Sequence, residues 1–257
     1  MTTLTTEIDL HGKRALVTGG SRGIGAATVR MLARAGADIT IGYRNRTTEA
    51  EAVAADVTAA GQLAYPVSAD ISTPSGAEKL VNTAVSSMGG LEIFVANAGI
   101  WPPHDVPLAS MGDDQWNRTR RHNLDSVFYT SRAVVNSISD GGSIVIVSST
   151  AGQRGEANHS DYAATKGAVI SFAKSLAVEL GTRDINVNCV APGWVETEMV
   201  QTAIADSGSQ RINSTIPLGR IATADDIAGP ILFLCSSLAR HITGEILNVN
   251  GGSVLCG

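Results

Sequence analysis

Thr18-Gly19-Gly20-Ser21-Arg22-Gly23-Ile24-Gly25 decides how this chain is read. Before it stands the β-rich run Arg14-Ala-Leu-Val-Thr18, and after it an alanine-rich helical pattern to about residue 35. Glycines 19, 23 and 25 permit a tight turn and a close approach of backbone to a ligand. The helix N-terminus beyond them offers free N–H groups to a pyrophosphate. Ser21, Arg22 and Ile24, set among the glycines, are expected to meet the same ligand. The spacing is G-x-x-x-G-x-G, distinct from the G-x-G-x-x-G of the usual dinucleotide fingerprint.

Outward from this loop, short β-rich runs alternate with longer helical patterns. Strands are predicted at 14–18, 38–42, 63–67, 91–96, 143–148, 185–190 and 245–249, and helices near 23–35, 47–60, 74–88, 112–138, 160–181 and 224–236. Several strands are near-continuous apolar runs, as strands covered on both faces are. The expected class is α/β, a doubly wound, seven-stranded parallel sheet flanked by helices. No linker or repeat divides the chain, so residues 1–257 are expected to form a single domain. The irregular stretch 193–222 is a candidate lid over a site.

Composition narrows the class of protein. With 44% hydrophobic and 17% charged residues the chain is too apolar for disorder and too interrupted for a membrane span. A net charge of −5 argues against nucleic acid as a partner. The start Met-Thr-Thr-Leu-Thr-Thr-Glu lacks the basic and apolar regions of a secretory signal, so a cytoplasmic location is expected. Cys189, Cys235 and Cys256 are widely spaced, and the five histidines form no ligand pair, so no metal site is expected.

Candidate ligand residues follow the strands, where open α/β sheets bind their ligands. An NAD site is expected to carry an acid at the end of the second strand, to hold the ribose 2′-hydroxyl. This chain has Tyr43-Arg44 there, and its nearby acid, Asp38, lies at the strand's far end. Arg44 with Arg22 suits a 2′-phosphate, so NADP(H) is the expected cofactor. Asp70-Ile71 follows the third strand, Asn97-Ala98-Gly99 the fourth and Ser148-Ser149 the fifth. Tyr162 and Lys166 are spaced to share one face of a helix, thirteen residues beyond Ser149.

Taken together and in order, these motifs resemble the short-chain dehydrogenase/reductase family, over about residues 10–252. The resemblance implies a Rossmann-type fold and a catalytic set of Asn123, Ser149, Tyr162 and Lys166. It also implies that Asp70 borders the adenine, that Asn97-Ala98-Gly99 lies along the cofactor, and that Pro192-Gly193-Trp194-Val195-Glu196-Thr197 contacts the nicotinamide end through Pro192, Gly193, Val195 and Thr197. Ketone reduction needs a hydride, which the cofactor brings, and a proton, which Tyr162 can bring. An unperturbed phenol has a pKa of about 10. The Lys166 ammonium, together with the positive nicotinamide of the oxidised cofactor, is expected to lower it. Ser149 would hold the substrate oxygen. By the same resemblance Lys166 holds the nicotinamide ribose and Asn123 fixes a water.

The substrate is expected to be a small carbonyl compound or alcohol. General similarity points to 3-oxoacyl-[acyl-carrier-protein] reductases, in which case an acyl carrier protein is a possible partner and Arg183 a basic contact. Asn136-Ser-Ile-Ser-Asp-Gly-Gly142, however, carries no basic residue. The alternatives are an alcohol or sugar dehydrogenase of the same family and a non-catalytic NADP-sensing binding protein. The resemblance also implies a homotetramer, with Ser126, Ser131, Ala163, Ala164, Ala168 and Ala173 available for close helix packing or facing the sheet. Trp101 and Trp194 are candidates for an apolar pocket wall. His104 is a candidate pocket residue or a solvated one, Trp116 is expected to pack against its neighbours, and Glu196 and Glu198 are read as solvated charges.

Overall fold

Alternate residues of each strand point to opposite sides of a sheet, and here both sides are apolar. The computed structural model of the chain describes residues 8–202, 204 and 208–255. Strands β1 (Arg14–Thr18), β2 (Asp38–Tyr43), β3 (Ala64–Ser68), β4 (Ile93–Ala96), β5 (Ser143–Val147), β6 (Asn186–Pro192) and β7 (Ile246–Val249) form one parallel sheet. Their order is β3-β2-β1-β4-β5-β6-β7. The helices are α1 (Gly23–Arg34), α2 (Thr47–Ala59), α3 (Pro74–Met88), α4 (Asp113–Arg120), α5 (Ser126–Val135), α6 (Thr150–Arg154), α7 (Ser160–Leu180), α8 (Ser209–Asn213) and α9 (Ala224–Leu234).

Val17, Ile39, Ile41, Val95 and Val145 pack against α1, α2 and α9, while Leu16, Phe94, Ile144, Ile146 and Val187 pack against α3, α5 and α7. Each such fully buried side chain contributes about 1.5–3 kcal/mol relative to exposure. The seven predicted strands and six predicted helical regions are all present, with bounds moved by at most three residues. One helix differs in kind. The stretch predicted at 112–138 is α4 and α5 joined by a π-helical turn at Arg121–Asp125. Within that turn the Asn123 amide reaches the backbone of Ile100, a contact outside the helix. The first seven residues, on which the absence of a signal was argued, lie outside the described residues, as do Cys256 and positions 203 and 205–207 of the candidate lid.

From β1 the chain first builds outward through β2 and β3, then returns to add β4 on the other side, so a crevice opens beyond the carboxyl ends of β1 and β4. Thr18 bolts the two ends together. Its Oγ1 accepts from the backbone N–H groups of both Asn97 and Ala98, each at 3.1 Å. Asn97 returns the contact, its Nδ2 donating to Thr18 O at 3.0 Å and Gly19 O at 3.3 Å. Thr18→Val keeps the shape but leaves two amides without an acceptor, and should cost about 1–3 kcal/mol in urea unfolding. A loss under about 0.5 kcal/mol, the level of an ordinary surface change, would refute this role.

Candidate active site

The glycine loop leaves β1 at the crevice and has no room for side chains where it turns. Gly19 has φ +66° and Gly23 φ +53°, conformations that L-residues rarely adopt. A Cβ on Gly25 would stand 2.2 Å from Gly19 O, so α1 starts against the loop. Arg22 at its N-cap makes no side-chain capping bond, and the first turn carries no acid. Its orphan amides and positive dipole end are therefore left for an anion, which suits a dinucleotide pyrophosphate.

At one end of the cleft basic residues gather behind β2. Arg44 Nη1 lies 3.4 Å from His122 Nε2. Burial and then the Arg44 charge hold the His122 pKa below its ordinary value, so the histidine adds little competing charge. Arg46, two residues on, also lines the cleft. Arg22 Nη1 donates to Glu198 Oε2 at 2.6 Å, and Arg46 Nη2 lies 3.6 Å from the same oxygen. Glu198, read as a solvated charge, thus bridges the candidate lid to the glycine loop. Asp70 Oδ1 accepts from Ser72 N and Oγ, and these bonds lead the causes that lower its pKa. Asp38 is spent at the far end of β2, accepting from Leu63 N.

At the other end stand Ser149, Tyr162 and Lys166, all lining the cleft. Ser149 caps α6, its Oγ accepting from Ala151 N at 3.1 Å. Ser148 points away, donating to Lys166 O at 2.7 Å, and a Cβ on Gly152 would lie 2.6 Å from that oxygen, so the serine turn is locked to α7. Lys166 Nζ donates to Val147 O at 2.8 Å and stands 5.8 Å from the Tyr162 ring centroid. Burial lowers the Lys166 pKa to about 8. Burial likewise raises the Tyr162 pKa to about 12, opposed by a side-chain hydrogen bond with Ser149 and reinforced by the Glu156 charge. Within the chain alone burial dominates the phenol, and the Lys166 ammonium is engaged by Val147 O; the expected lowering calls on the oxidised nicotinamide as well as on Lys166.

Of the residues singled out from sequence, Gly19, Ser21, Arg22, Gly23, Ile24, Arg44, Asp70, Ile71, Asn97, Ala98, Gly99, Pro192, Gly193, Val195 and Thr197 line this cleft with the Ser149 group. Gly25 and Asn123 stand behind it. Asn123, 1% exposed, accepts from Ile100 N at 2.7 Å and donates to Ile100 O at 2.8 Å, so its amide clamps the loop after β4. Val195 pairs with Ala222, which ties the two ends of the 193–222 stretch together. Trp101 and Trp194 wall the cleft, His104 is exposed outside it, and Trp116 is exposed instead of packed.

Arg46, His122, Glu156 and Glu198 escape the sequence reading. Arg46 carried a signal, a second arginine two residues after Arg44 at a strand end; the other three depend on contacts between distant segments. Burial pushes the thiols of Cys189 and Cys235 up to about 12, so neither is a ready nucleophile. Among the described residues no group of three or more His, Cys, Asp or Glu could hold a metal, and no helix is long and apolar enough to cross a membrane.

Known proteins share this arrangement. A family model described as Enoyl-(Acyl carrier protein) reductase matches residues 19–253. The 3-oxoacyl-[acyl-carrier-protein] reductase FabG of Escherichia coli (strain K12) is 38% identical over 247 residues, covering 95% of this chain and 98% of that one. The L-rhamnose 1-dehydrogenase (NAD(P)(+)) of Sphingomonas sp. (strain SKA58) is 37% identical, covering 95% of this chain and 96% of that one. A crystal structure of a short chain dehydrogenase from Burkholderia cenocepacia J2315 in complex with NADP superposes with a TM-score of 0.89 at 38% identity, covering 95% of this chain and 98% of that one. With its glycine cradle, its sheet order and its Ser149, Tyr162 and Lys166 at one end of the cleft, the chain belongs to the short-chain dehydrogenase/reductase family of oxidoreductases.

Proposed function

We propose that this chain is a cytoplasmic NADP(H)-dependent enzyme, folded as a single domain over residues 1–257, that interconverts a ketone and a secondary alcohol. The observation that carries this is the convergence of Ser149, Tyr162 and Lys166 at one end of a cleft whose other end holds Arg22, Arg44 and Arg46. Three arginines at the end of β2 and in the glycine loop suit a 2′-phosphate, by charge-assisted hydrogen bonds. When bound, the dinucleotide would supply or accept the hydride.

The chain's own groups handle the proton and the oxygen. Ser149 donates a hydrogen bond to the substrate oxygen and holds it for attack. Tyr162, protonated at neutral pH, gives its proton to the developing alkoxide, which is the role that reduction requires. Lys166 supplies positive charge near the ring as the phenolate forms, and holds the nicotinamide ribose. Asn123 acts as a positioning residue: by clamping Ile100 it fixes the loop that carries Gly99, whose Cβ position would lie 3.5 Å from Lys166 Nζ. A structural water held beside Asn123 would complete proton replacement.

An acyl-carrier substrate has the support of the FabG relatives but little from this chain's surface. The Arg183 guanidinium is already engaged, donating to Asp140 Oδ1 and to the carbonyls of Val135 and Ile138. A small alcohol or sugar is favoured instead, with the L-rhamnose 1-dehydrogenase relatives as parallel. A non-catalytic sensor would have no use for the complete Ser149, Tyr162 and Lys166 set.

For assembly we propose a homotetramer built through α5 and α7. Ser126, Ser131 and Ala173 turn inward within the chain, but Ala164 is exposed and Ala163 and Ala168 are partly so. Phe128 at 42% exposure and Val178 at 85% leave apolar surface on these helices. Sedimentation should give four times the chain mass, and a monomer would sink the assembly.

Tyr162→Phe should keep NADPH affinity and lose turnover by roughly a hundredfold or more; near-normal ketone reduction by the variant would overturn the assignment. Reduction by the native chain should fall as pH rises through about 8, where Lys166 loses its charge. A rate that holds level well above that pH would remove the lysine from this role. Arg44→Asp should reverse the ratio of kcat/KM values for NADPH and NADH. Glu198→Gln should tighten NADPH binding by about twofold to fivefold, by freeing Arg22 from an exposed pair, while Arg46 keeps its bond to Glu49 Oε1 at 2.7 Å. Unchanged values in both would place the 2′-phosphate elsewhere.

A further inference from the structure

The substrate half of the cleft contains an acid that the hydride and proton chemistry does not use. Trp101, from the loop after β4, and Trp194, from the loop after β6, meet edge to face at 6.2 Å. His159, 2% exposed, stacks beneath Trp101 at 4.7 Å, and its Nε2 lies 2.9 Å from Pro102 O. The Trp101 indole N–H donates to Glu156 Oε1 at 3.3 Å. This wall is therefore held in place by protein contacts before any substrate arrives. Glu156 itself lies between α6 and α7, six residues before Tyr162, and lines the cleft beside Ser149, Tyr162 and Arg154.

An ionised carboxylate accepts hydrogen bonds and cannot donate them. Set in an aromatic wall, it rewards a substrate that brings a donor and penalises one that brings only acceptors. A 3-oxoacyl thioester offers its reacting ketone and a thioester carbonyl two carbons away, both acceptors, and no donor on the carbons beside the ketone. An ammonium group would bring donors, but it would also meet Arg154 and His159, which already face Glu156 with positive or ionisable nitrogen. Asp105, near His159, is the one further acid in this group. A hydroxyl supplies the proton without the charge. Aliphatic C–H groups of a ring or chain can cover the indole faces at the same time.

We propose that Glu156 is a specificity-determining residue that accepts a hydrogen bond from the hydroxyl next to the reacting carbon, and that the substrate is a small neutral sugar, an aldose packed on Trp101 and Trp194 whose C1 hydroxyl takes the place of the secondary alcohol and is oxidised to the lactone carbonyl. This rests on the oxidoreductase function proposed above and names its substrate class. Burial holds the Glu156 carboxyl above its ordinary pKa, and its charge in turn raises the Tyr162 phenol. A donor hydroxyl on Glu156 would shield the tyrosine from that charge, so recognition and proton transfer are linked at one carboxylate.

The test compares aldoses with their 2-deoxy analogues, pentoses and hexoses of both series, in oxidation with NADP+. Acetoacetyl-N-acetylcysteamine and cyclohexanone are assayed for reduction with NADPH. The native chain should prefer at least one aldose over its 2-deoxy analogue by roughly tenfold or more in kcat/KM. Glu156→Ala should bring that ratio close to one. Glu156→Gln keeps an acceptor for both the hydroxyl and the Trp101 indole, and should retain more of the ratio than the alanine variant. Because a ratio is read, a general loss from a displaced indole cancels. No turnover of any aldose, a native ratio near one, or a ratio that Glu156→Ala leaves unmoved overturns the proposal. Turnover of the thioester or of cyclohexanone in those cases leaves the oxidoreductase function standing, and failure of every substrate removes both.

Discussion

Where β1 and β4 leave the sheet, their ends must stay close enough to share a ligand yet diverge to opposite sides. One threonine hydroxyl and one asparagine amide meet that requirement. Thr18 Oγ1 takes two amide protons from Asn97 and Ala98, and Asn97 reaches back to two carbonyls of the β1 exit. The Asn-Ala-Gly turn is thus first a brace. It also lines the cleft with Asn97, Ala98 and Gly99, and brings Gly99 towards Lys166. The start of the glycine loop is held at this junction, and the loop to Trp101 is held further along by Asn123 on Ile100.

The polar machinery of the cleft sits at the edge of a well-packed interior, and burial governs its titration. For both Tyr162 and Lys166 desolvation is the largest cause of the shift, and it favours the neutral form of each. In the chain alone the phenol is accordingly held protonated, and the lysine pKa is brought down to about 8. A spacing of four on a helix guarantees that the side chains share a face. It does not fix the balance between Coulomb attraction and burial, which depends on Val147 O, Ser149 and Glu156.

Much of the fold is legible in the sequence because a doubly covered parallel sheet writes itself as apolar runs, and the strands and most helices appear where those runs and periods place them. The π-helical turn at Arg121–Asp125 is not legible, since it is bound up with Asn123 reaching a loop more than twenty residues away. The cofactor end is readable where strand ends supply residues in a known order, as for Arg44 and Asp70. Glu198 is not, because its partner Arg22 lies 176 positions away, and a charge next to a lid looks the same in sequence whether paired or solvated. Glu156 is hidden for the same reason: no spacing relates it to Trp101, and only the fold brings the indole N–H to its oxygen.

The ion pair between Glu198 and Arg22 gives the cofactor end a ready-made stand-in for a bound anion. Part of the positive potential is already neutralised by the chain, so a phosphate bound at Arg22 would exchange one carboxylate for another anion instead of filling an empty field. Added salt weakens the internal pair and the external attraction together. The cleft should therefore hold its dinucleotide with a flatter dependence on ionic strength than three unengaged arginines would give, and each exchange of ligand should also loosen or fasten the segment that carries Glu198.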